Sequence, residues 1–375
     1  MNEKEISEIR RRFRPEKSNI TNICGCYVNT SKEIVSEFNQ SIALMTEDES
    51  EKFIAILKKT LSGTLNKNLL PIEFTTQQVV SGEEHKLLMS LRDSVLKDEE
   101  AIQNIFKKVI EAITLEENYL ILLAYDTYDI PYRSKDGGKP DDSSEVFSYI
   151  VCSVCPVKMT KSALSYYAHT NEFHSSAADW IVSPPEMGFM FPAFDDRCSN
   201  IYGTLYYTRD AAESREEFVQ AVFGCEAPMP AVEQKETFQA ILSSTLEEEC
   251  SFQTVQLVHE QLQEMIEEHK ANKEEEPLTI SKGNVKQMLR AHGVSDTHIE
   301  AFEEQFDQQF GSEMTLSPKN IVDVRHMELT APNIKIQVSS SREGLVETRV
   351  IDGVKYILIR AEEGIELNGV PVHIS

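Results

Sequence analysis

The densest run of chemistry-bearing side chains lies in NEFHSSAADWIVSPPEMGFMFPAFDDRCSN. Glu172, His174, Glu186, Asp195 and Arg197 stand there among aromatics, with Asp179, Asp196 and the single tryptophan, Trp180. Carboxylates and an imidazole beside an apolar wall are the groups of general acid–base catalysis, and together they can hold a divalent ion. A plainer role fits the same residues. Asp195-Asp196-Arg197 suits a hairpin turn in which Arg197 pairs a carboxylate. The catalytic reading requires His174, Glu186 and Asp195 to share one cleft.

The spacing Cys152-x2-Cys155-x13-His169-x4-His174 matches the generic zinc pattern of two thiolates and two imidazoles. The surroundings argue against it. Cys152 and Cys155 fall inside an apolar run of strand character, where positions three apart face opposite sides. A zinc knuckle needs a tight turn at that point. We therefore expect no metal here and read Cys152 and Cys155, like Cys24 and Cys26, as core thiols.

A third candidate is the loop RSKDGGKPDDSS. Gly137-Gly138-Lys139 invites a phosphate reading, but the P-loop positions before and after it hold Arg133 and Pro140. An EF-hand reading fails because Ser143 stands where the closing carboxylate belongs. What is left is a long loop of the kind that carries binding residues, with Asp136, Lys139, Asp141 and Asp142 as ligand-binding candidates and a possible lid.

These groups need a frame. Ile20 to Val28 reads as a strand. Capping boxes at Thr30/Glu33, Thr46/Glu49 and Ser81/Glu84 predict three helix starts. Ile34, Val35, Phe38 and Ile42 follow helical spacing after the first, and Phe53, Leu57 and Leu61 after the second, which Gly63 closes. Ile102, Ile105, Phe106, Val109, Ile110 and Ile113 form a broad helical stripe. Tyr119–Ile130 and Glu145–Val157 then read as strands, the second apolar on both faces and so central in a sheet. Gly188–Phe194 and Ile201–Thr208 form a second pair. The expected fold is α+β: a mostly antiparallel sheet covered by helices, with a glutamate-rich helical arm and a small C-terminal α+β module.

Residues 211–276 hold sixteen glutamates and four basic residues. Like charges in NKEEEP extend a chain, which predicts a linker. The expected boundaries are 1–225 for the body, 226–277 for the acidic arm and linker, and 278–375 for the C-terminal module. Residues 281–310 have a helix-turn-helix look with Gly293 in the turn. Their second helix is acidic, with Phe302, Phe306 and Phe310 as a core stripe, and is unsuited to DNA.

The whole chain has 375 residues, 62 acidic against 37 basic, and a net charge of −25. Such a chain repels phosphate backbones at long range. The exception is the cluster Arg10, Arg11, Arg12 and Arg14, either a solvated helix face or a local contact with an anion or RNA. The first residues lack the apolar core of a secretory signal, and no run is long enough to span a membrane. Seven cysteines without a signal point to reduced thiols and a cytoplasmic location.

The runs KEISEIRRRFRPEKSNIT, LAYDTYDIP, CPVK, NEFH…DW, PEMGFMFPAFDDR, LYYTRD and NIVD…VETRVIDGVKYILI resemble a family of bacterial proteins catalogued as a domain of unknown function, chiefly from Gram-positive anaerobes. The resemblance spans nearly the entire chain. It implies a bacterial cytosolic protein and transfers no catalytic role, cofactor or substrate to any position.

The leading reading is a non-enzymatic partner-binding or regulatory protein whose partner is another protein, with no DNA and no membrane. The alternative is a hydrolase-like enzyme, divalent-metal dependent, using the 172–197 constellation. A third is a ribosome- or RNA-associated factor acting through the basic cluster. Convergence of the carboxylates and His174 in a pocket favours an enzyme, and an exposed patch without it favours a binder.

Overall fold

The computed structural model describes all residues except 131–144, 273, 275, 325, 340–344, 361–364, 368–369 and 373–375. By compactness the chain divides into Met1–Glu233 with Glu275–Pro277, and Gln234–Glu274 with Leu278–Ser375.

The first unit begins with α1 (Glu3–Arg10), β1 (Asn22–Val28), β2 (Ile34–Ser41), α2 (Glu47–Lys59), β3 (Leu69–Glu73), α3 (Thr76–Ser81), α4 (Glu83–Asp93) and α5 (Glu99–Ala112). The long strands β4 (Asn118–Ile130) and β5 (Glu145–Met159) follow, then the short β6 (Ala163–Tyr167), β7 (Glu172–Ser176) and β8 (Trp180–Val182). β9 (Met187–Phe191), β10 (Ala193–Asp195), β11 (Cys198–Asn200), β12 (Gly203–Thr208) and α6 (Glu216–Phe223) complete it. One sheet runs in the order β2-β1-β4-β5-β9-β12-β3, with β8 joined to β5. Its neighbours pair antiparallel, as the α+β reading expects.

Both faces of the sheet are covered, which is why β5 is apolar on both sides. Ile150, Cys152 and Val154 face a core closed by Leu88 and Leu91 of α4, Ile105, Phe106 and Val109 of α5, and Phe218 and Val222 of α6. Tyr149, Val151 and Val157 face the opposite core, closed by Ile6 and Ile9 of α1 and Ile54 and Leu57 of α2. α2 starts at the predicted box, with Thr46 and Glu49 capping each other's backbone.

One predicted helix start is corrected, and another occurs without its capping box, since α4 begins at Glu83 after Gly82 with no side-chain cap. Ile34–Ser41 is an edge strand paired to β1. Asn29 Oδ1 accepts the backbone N–H groups of Ser31 and Glu33, and Asn29 Nδ2 donates to the Glu33 carboxylate at 2.9 Å. The glutamate of the supposed box thus serves an Asn-centred turn between strands. At the third box, Ser81 ends α3 and bonds Gln77 O, while Glu84 pairs Lys108 at 3.1 Å. A box that we did not predict, Thr75 with Gln78, starts α3.

The second unit contains α7 (Ala231–Leu246), α8 (Phe252–Asn272), α9 (Lys282–Ala291), α10 (Asp296–Phe310) and α11 (Pro318–Ile321). The hairpins β13 (His326–Ala331) with β14 (Ile334–Ser339), β15 (Val346–Ile351) with β16 (Val354–Ile359), and β17 (Ile365–Leu367) with β18 (Val370–Val372) follow. The acidic helices were expected as a separate arm. Instead, Phe238, Ile241 and Leu242 of α7 and Val258, Leu262 and Ile266 of α8 share one buried cluster with Leu289, Phe302 and Phe306 of α9 and α10. Their glutamates line the other faces, so a solvated outer surface coexists with an apolar seam.

Candidate functional site

The residues that looked like one site in sequence have different neighbours in space. Glu172 and His174 lie on β7, both exposed, and His174 Nε2 contacts Glu172 Oε2 at 3.0 Å. Glu186, just before β9, accepts from Arg209 Nη1 at 2.9 Å. Asp195, beyond the other end of β9, accepts from the Met1 α-amino group at 2.8 Å. Four residue steps of extended chain across β9 put roughly 14 Å between those two ends. Arg197 donates to both carboxylate oxygens of Glu8 at 2.7 Å.

The turn reading of 195–197 describes the geometry. Asp195 pairs Cys198 across a two-residue loop, and Asp196 and Arg197 both have positive φ, 48° and 59°. That is the backbone of a tight hairpin turn matched to strand twist. The bond from the α-amino group holds the Asp195 carboxyl below its usual range. Glu5, Asp195 and Asp196 bring carboxylate oxygens within 4.8 Å of one another. That cluster already serves the Met1 ammonium and the Arg197 backbone N–H, which bonds Glu5 Oε1 at 3.3 Å.

The zinc spacing also separates in space. Cys152 belongs to the α4–α5 core, whereas Cys155 stands opposite Leu120, whose side chain lies in the α1–α2 core. Burial pushes both thiols well above their ordinary range. His169 and His174 lie on exposed backbone, with their rings 5.9 and 5.4 Å from Tyr167. The loop candidates Asp136, Lys139, Asp141 and Asp142 lie outside the described residues.

A polar cluster not anticipated from sequence joins the resemblance-bearing runs. Asp126, buried in β4, accepts from Asn19 N and Thr127 N, each at 2.8 Å, and from Tyr149 Oη at 2.9 Å. Burial raises its pKa, and the bond from Tyr149 opposes that shift. Arg12 lies 4.8 Å over the Tyr128 ring, and Tyr128 donates to Glu8, which also takes Arg197. Burial, then the bond to Glu8, pushes the Tyr128 phenol up to about 12. The signal was an acid inside the apolar run LAYDTYDI. Its carboxylate is saturated by local donors, and the cluster pins the segment after α1 to the sheet.

Exposed apolar side chains among the described residues include a group on β6, β7 and β8, alongside Leu44, Val80 and, on β15–β16, Val350, Val354 and Ile359. β6 and β7 pair only with each other among the described strands, in the register Leu164↔Ser175, Tyr166↔Phe173 and Tyr167↔Glu172. Alternation puts Leu164, Tyr166 and Phe173 on one face and Tyr167, Glu172 and His174 on the other. Leu164 is 72%, Tyr166 52% and Phe173 64% exposed, although the Tyr166 and Phe173 rings meet at 5.2 Å. Tyr166 also donates to Asn171 in the turn. The hairpin springs from the pairing of β5 with β8, where Met159 stands opposite Trp180 and both are more than half exposed. Lys158 and Lys161 balance Glu172 and Asp179, so this segment is neutral in a chain of net charge −25.

A family model described as "Domain of unknown function (DUF4317)" matches residues 1–370. No curated protein and no solved structure matches the chain. No helix among the described residues is long and apolar enough to cross a membrane.

Proposed function

We propose that this chain, which belongs to the DUF4317 family, acts by binding a protein partner through the apolar face of its β6–β7 hairpin. The observation that carries the reading is the exposed row Leu164, Tyr166 and Phe173 on an amphipathic two-stranded ribbon. A lone hairpin gains little stability in water, and an apolar face with strand alternation is built to be covered. Leu164, Tyr166 and Phe173, each more than half exposed on one face of the ribbon, offer on the order of 300 Å² of contact surface. That is within the size range of functional patches on monomers.

The chemistry of the patch favours protein over other partners. Tyrosine, serine and asparagine together give rigid aromatic contacts with adaptable hydrogen bonding. A neutral segment on an acidic chain has no attraction for phosphate backbones or for an anionic membrane surface. The acid–base reading loses support because Glu186 and Asp195 sit at opposite ends of β9, each held by its own cation.

Affinity capture from the source cell with quantitative mass spectrometry tests this. One protein should be enriched with the wild-type chain and lost with Leu164→Ser, Tyr166→Ser, Phe173→Ser. It should be retained with Glu172→Gln, His174→Gln on the opposite face. Equal enrichment with both variants would refute the assignment.

A further inference from the structure

The second unit holds a groove of about 450 Å³ between α7, α8 and the β13–β14 hairpin. That volume lies within the range of small-molecule sites. Its lining is polar and apolar in about equal measure, the apolar part including Phe252, Val255, Val322 and Leu329. Its polar lining holds one cation, Lys235, with the His259 and His326 imidazoles, the side-chain amides of Gln239, Gln256 and Gln337, and the carboxylates of Asp323 and Glu328.

The charges in the groove are unevenly satisfied. Its carboxylates already have partners. Glu328 pairs Lys335 at 2.9 Å, and Asp323 accepts the His326 backbone N–H at 3.3 Å. Lys235 makes no ion pair with any described carboxylate, although it is one of four basic residues among the sixteen glutamates of 211–276. A half-buried lysine with no carboxylate partner among the described residues, in a partly apolar groove, is placed to take an anion. His259 is half-buried beside Lys235, Asp323 and Glu260; burial lowers its pKa, which keeps the ring neutral with one N–H to donate.

We infer that this groove binds a small organic carboxylate with an apolar body, its carboxylate on Lys235 and its body against Phe252, Val255 and Leu329. A fully polar anion such as inorganic phosphate would leave the apolar part of the lining unused, and a neutral apolar molecule would leave Lys235 desolvated without a partner. The site is independent of the hairpin, since all of its residues belong to the second unit.

Isothermal titration calorimetry on the full chain tests the assignment, with 4-phenylbutyrate and its neutral analogue 4-phenylbutyramide as probes. Saturable binding of one carboxylate per chain is expected, with the amide at least about ten-fold weaker, the factor that 1.4 kcal/mol represents. Lys235→Gln should bring the carboxylate down to the level of the amide and leave the amide unchanged. Absence of saturable carboxylate binding, equal affinity for the two probes, or a Lys235→Gln chain that still prefers the carboxylate would each overturn it. The comparison of two probes on the wild-type chain does not depend on the variant folding.

Discussion

Tyr149 and Asp126 stand directly opposite each other on β5 and β4, and the phenol donates to the carboxylate across 2.9 Å. Neither residue is exposed by more than 1%. The same carboxylate takes the N–H of Asn19, so one buried acid ties the segment after α1 to the centre of the sheet. Removing it leaves three donors without an acceptor.

Asp126→Ala should therefore cost about 3 kcal/mol in urea unfolding, the scale for stranding buried donors of a charged hydrogen bond. The pH dependence has a definite sign. The folded-state pKa of Asp126 lies above the unfolded value, chiefly through burial. Its titration stabilises fully below the unfolded pKa, and that contribution is lost as pH rises through the folded pKa. The stability of the wild type relative to Asp126→Asn should fall as pH rises above about 4, where an unfolded Asp titrates. A difference that grows with pH would mean that the hydrogen bonds outweigh burial.

Gly25 lies under the Phe38 ring, and a Cβ there would come within 2.0 Å of the ring. Gly25→Ala should destabilise by about 1–3 kcal/mol, as overpacking does. In a Phe38→Ala background the same change should cost nearly nothing, because the obstacle is a side chain. Gly188 differs, since its Cβ would meet the backbone oxygen of Cys152 at 2.2 Å. No single side-chain truncation should rescue Gly188→Ala. A thermal-unfolding cycle over these variants checks both statements.

Thiol chemistry follows burial. Cys198 is exposed, whereas Cys24, Cys26, Cys152 and Cys155 are buried with raised pKa values. Alkylation of the native chain should label Cys198 first and leave those four until denaturant is added. Metal analysis should find no stoichiometric zinc at Cys152 and Cys155. Protection of these two cysteines by added zinc would contradict their placement on opposite faces.

The acidic helices give a fourth test. Because α7 and α8 share their core with α9 and α10, a fragment covering 228–375 should fold with a cooperative transition. A fragment covering 278–375 loses Phe238, Ile241, Leu262 and Ile266 from that core and should not. Cooperative unfolding of the shorter fragment would restore the boundary expected at 278.

Much of the frame was readable because periodicity reports burial. The two-faced apolar run of β5, the broad stripe of α5 and the paired strands β4–β5 and β9–β12 all appear as expected. β2 was misread because Ile34, Val35, Phe38 and Ile42 satisfy helical spacing, while its pairing to β1 is a long-range fact. The seam of α7 and α8 is present at Phe238, Ile241, Leu242, Val258, Leu262 and Ile266, but glutamate dominates the composition around it. The 172–197 cluster looked like a site because its residues are close in the chain. An extended strand carries neighbours in sequence far apart, and β9 does this between Glu186 and Asp195. The exposed face of β6–β7 was hidden for the opposite reason, since alternation shows which residues share a face but not whether anything covers it.

Phe173 and Glu172 are adjacent on β7 and point to opposite faces of the hairpin, so a probe moved by one residue reads which face meets a partner. The photo-crosslinking residue p-benzoylphenylalanine, placed at position 173 or at position 172 in the full chain and irradiated in living cells, makes that measurement. Coverage of the apolar face predicts one discrete protein adduct from position 173 and little or none from position 172. No adduct from position 173, or the same adducts from both positions, would contradict the proposal that this hairpin is the partner-binding surface.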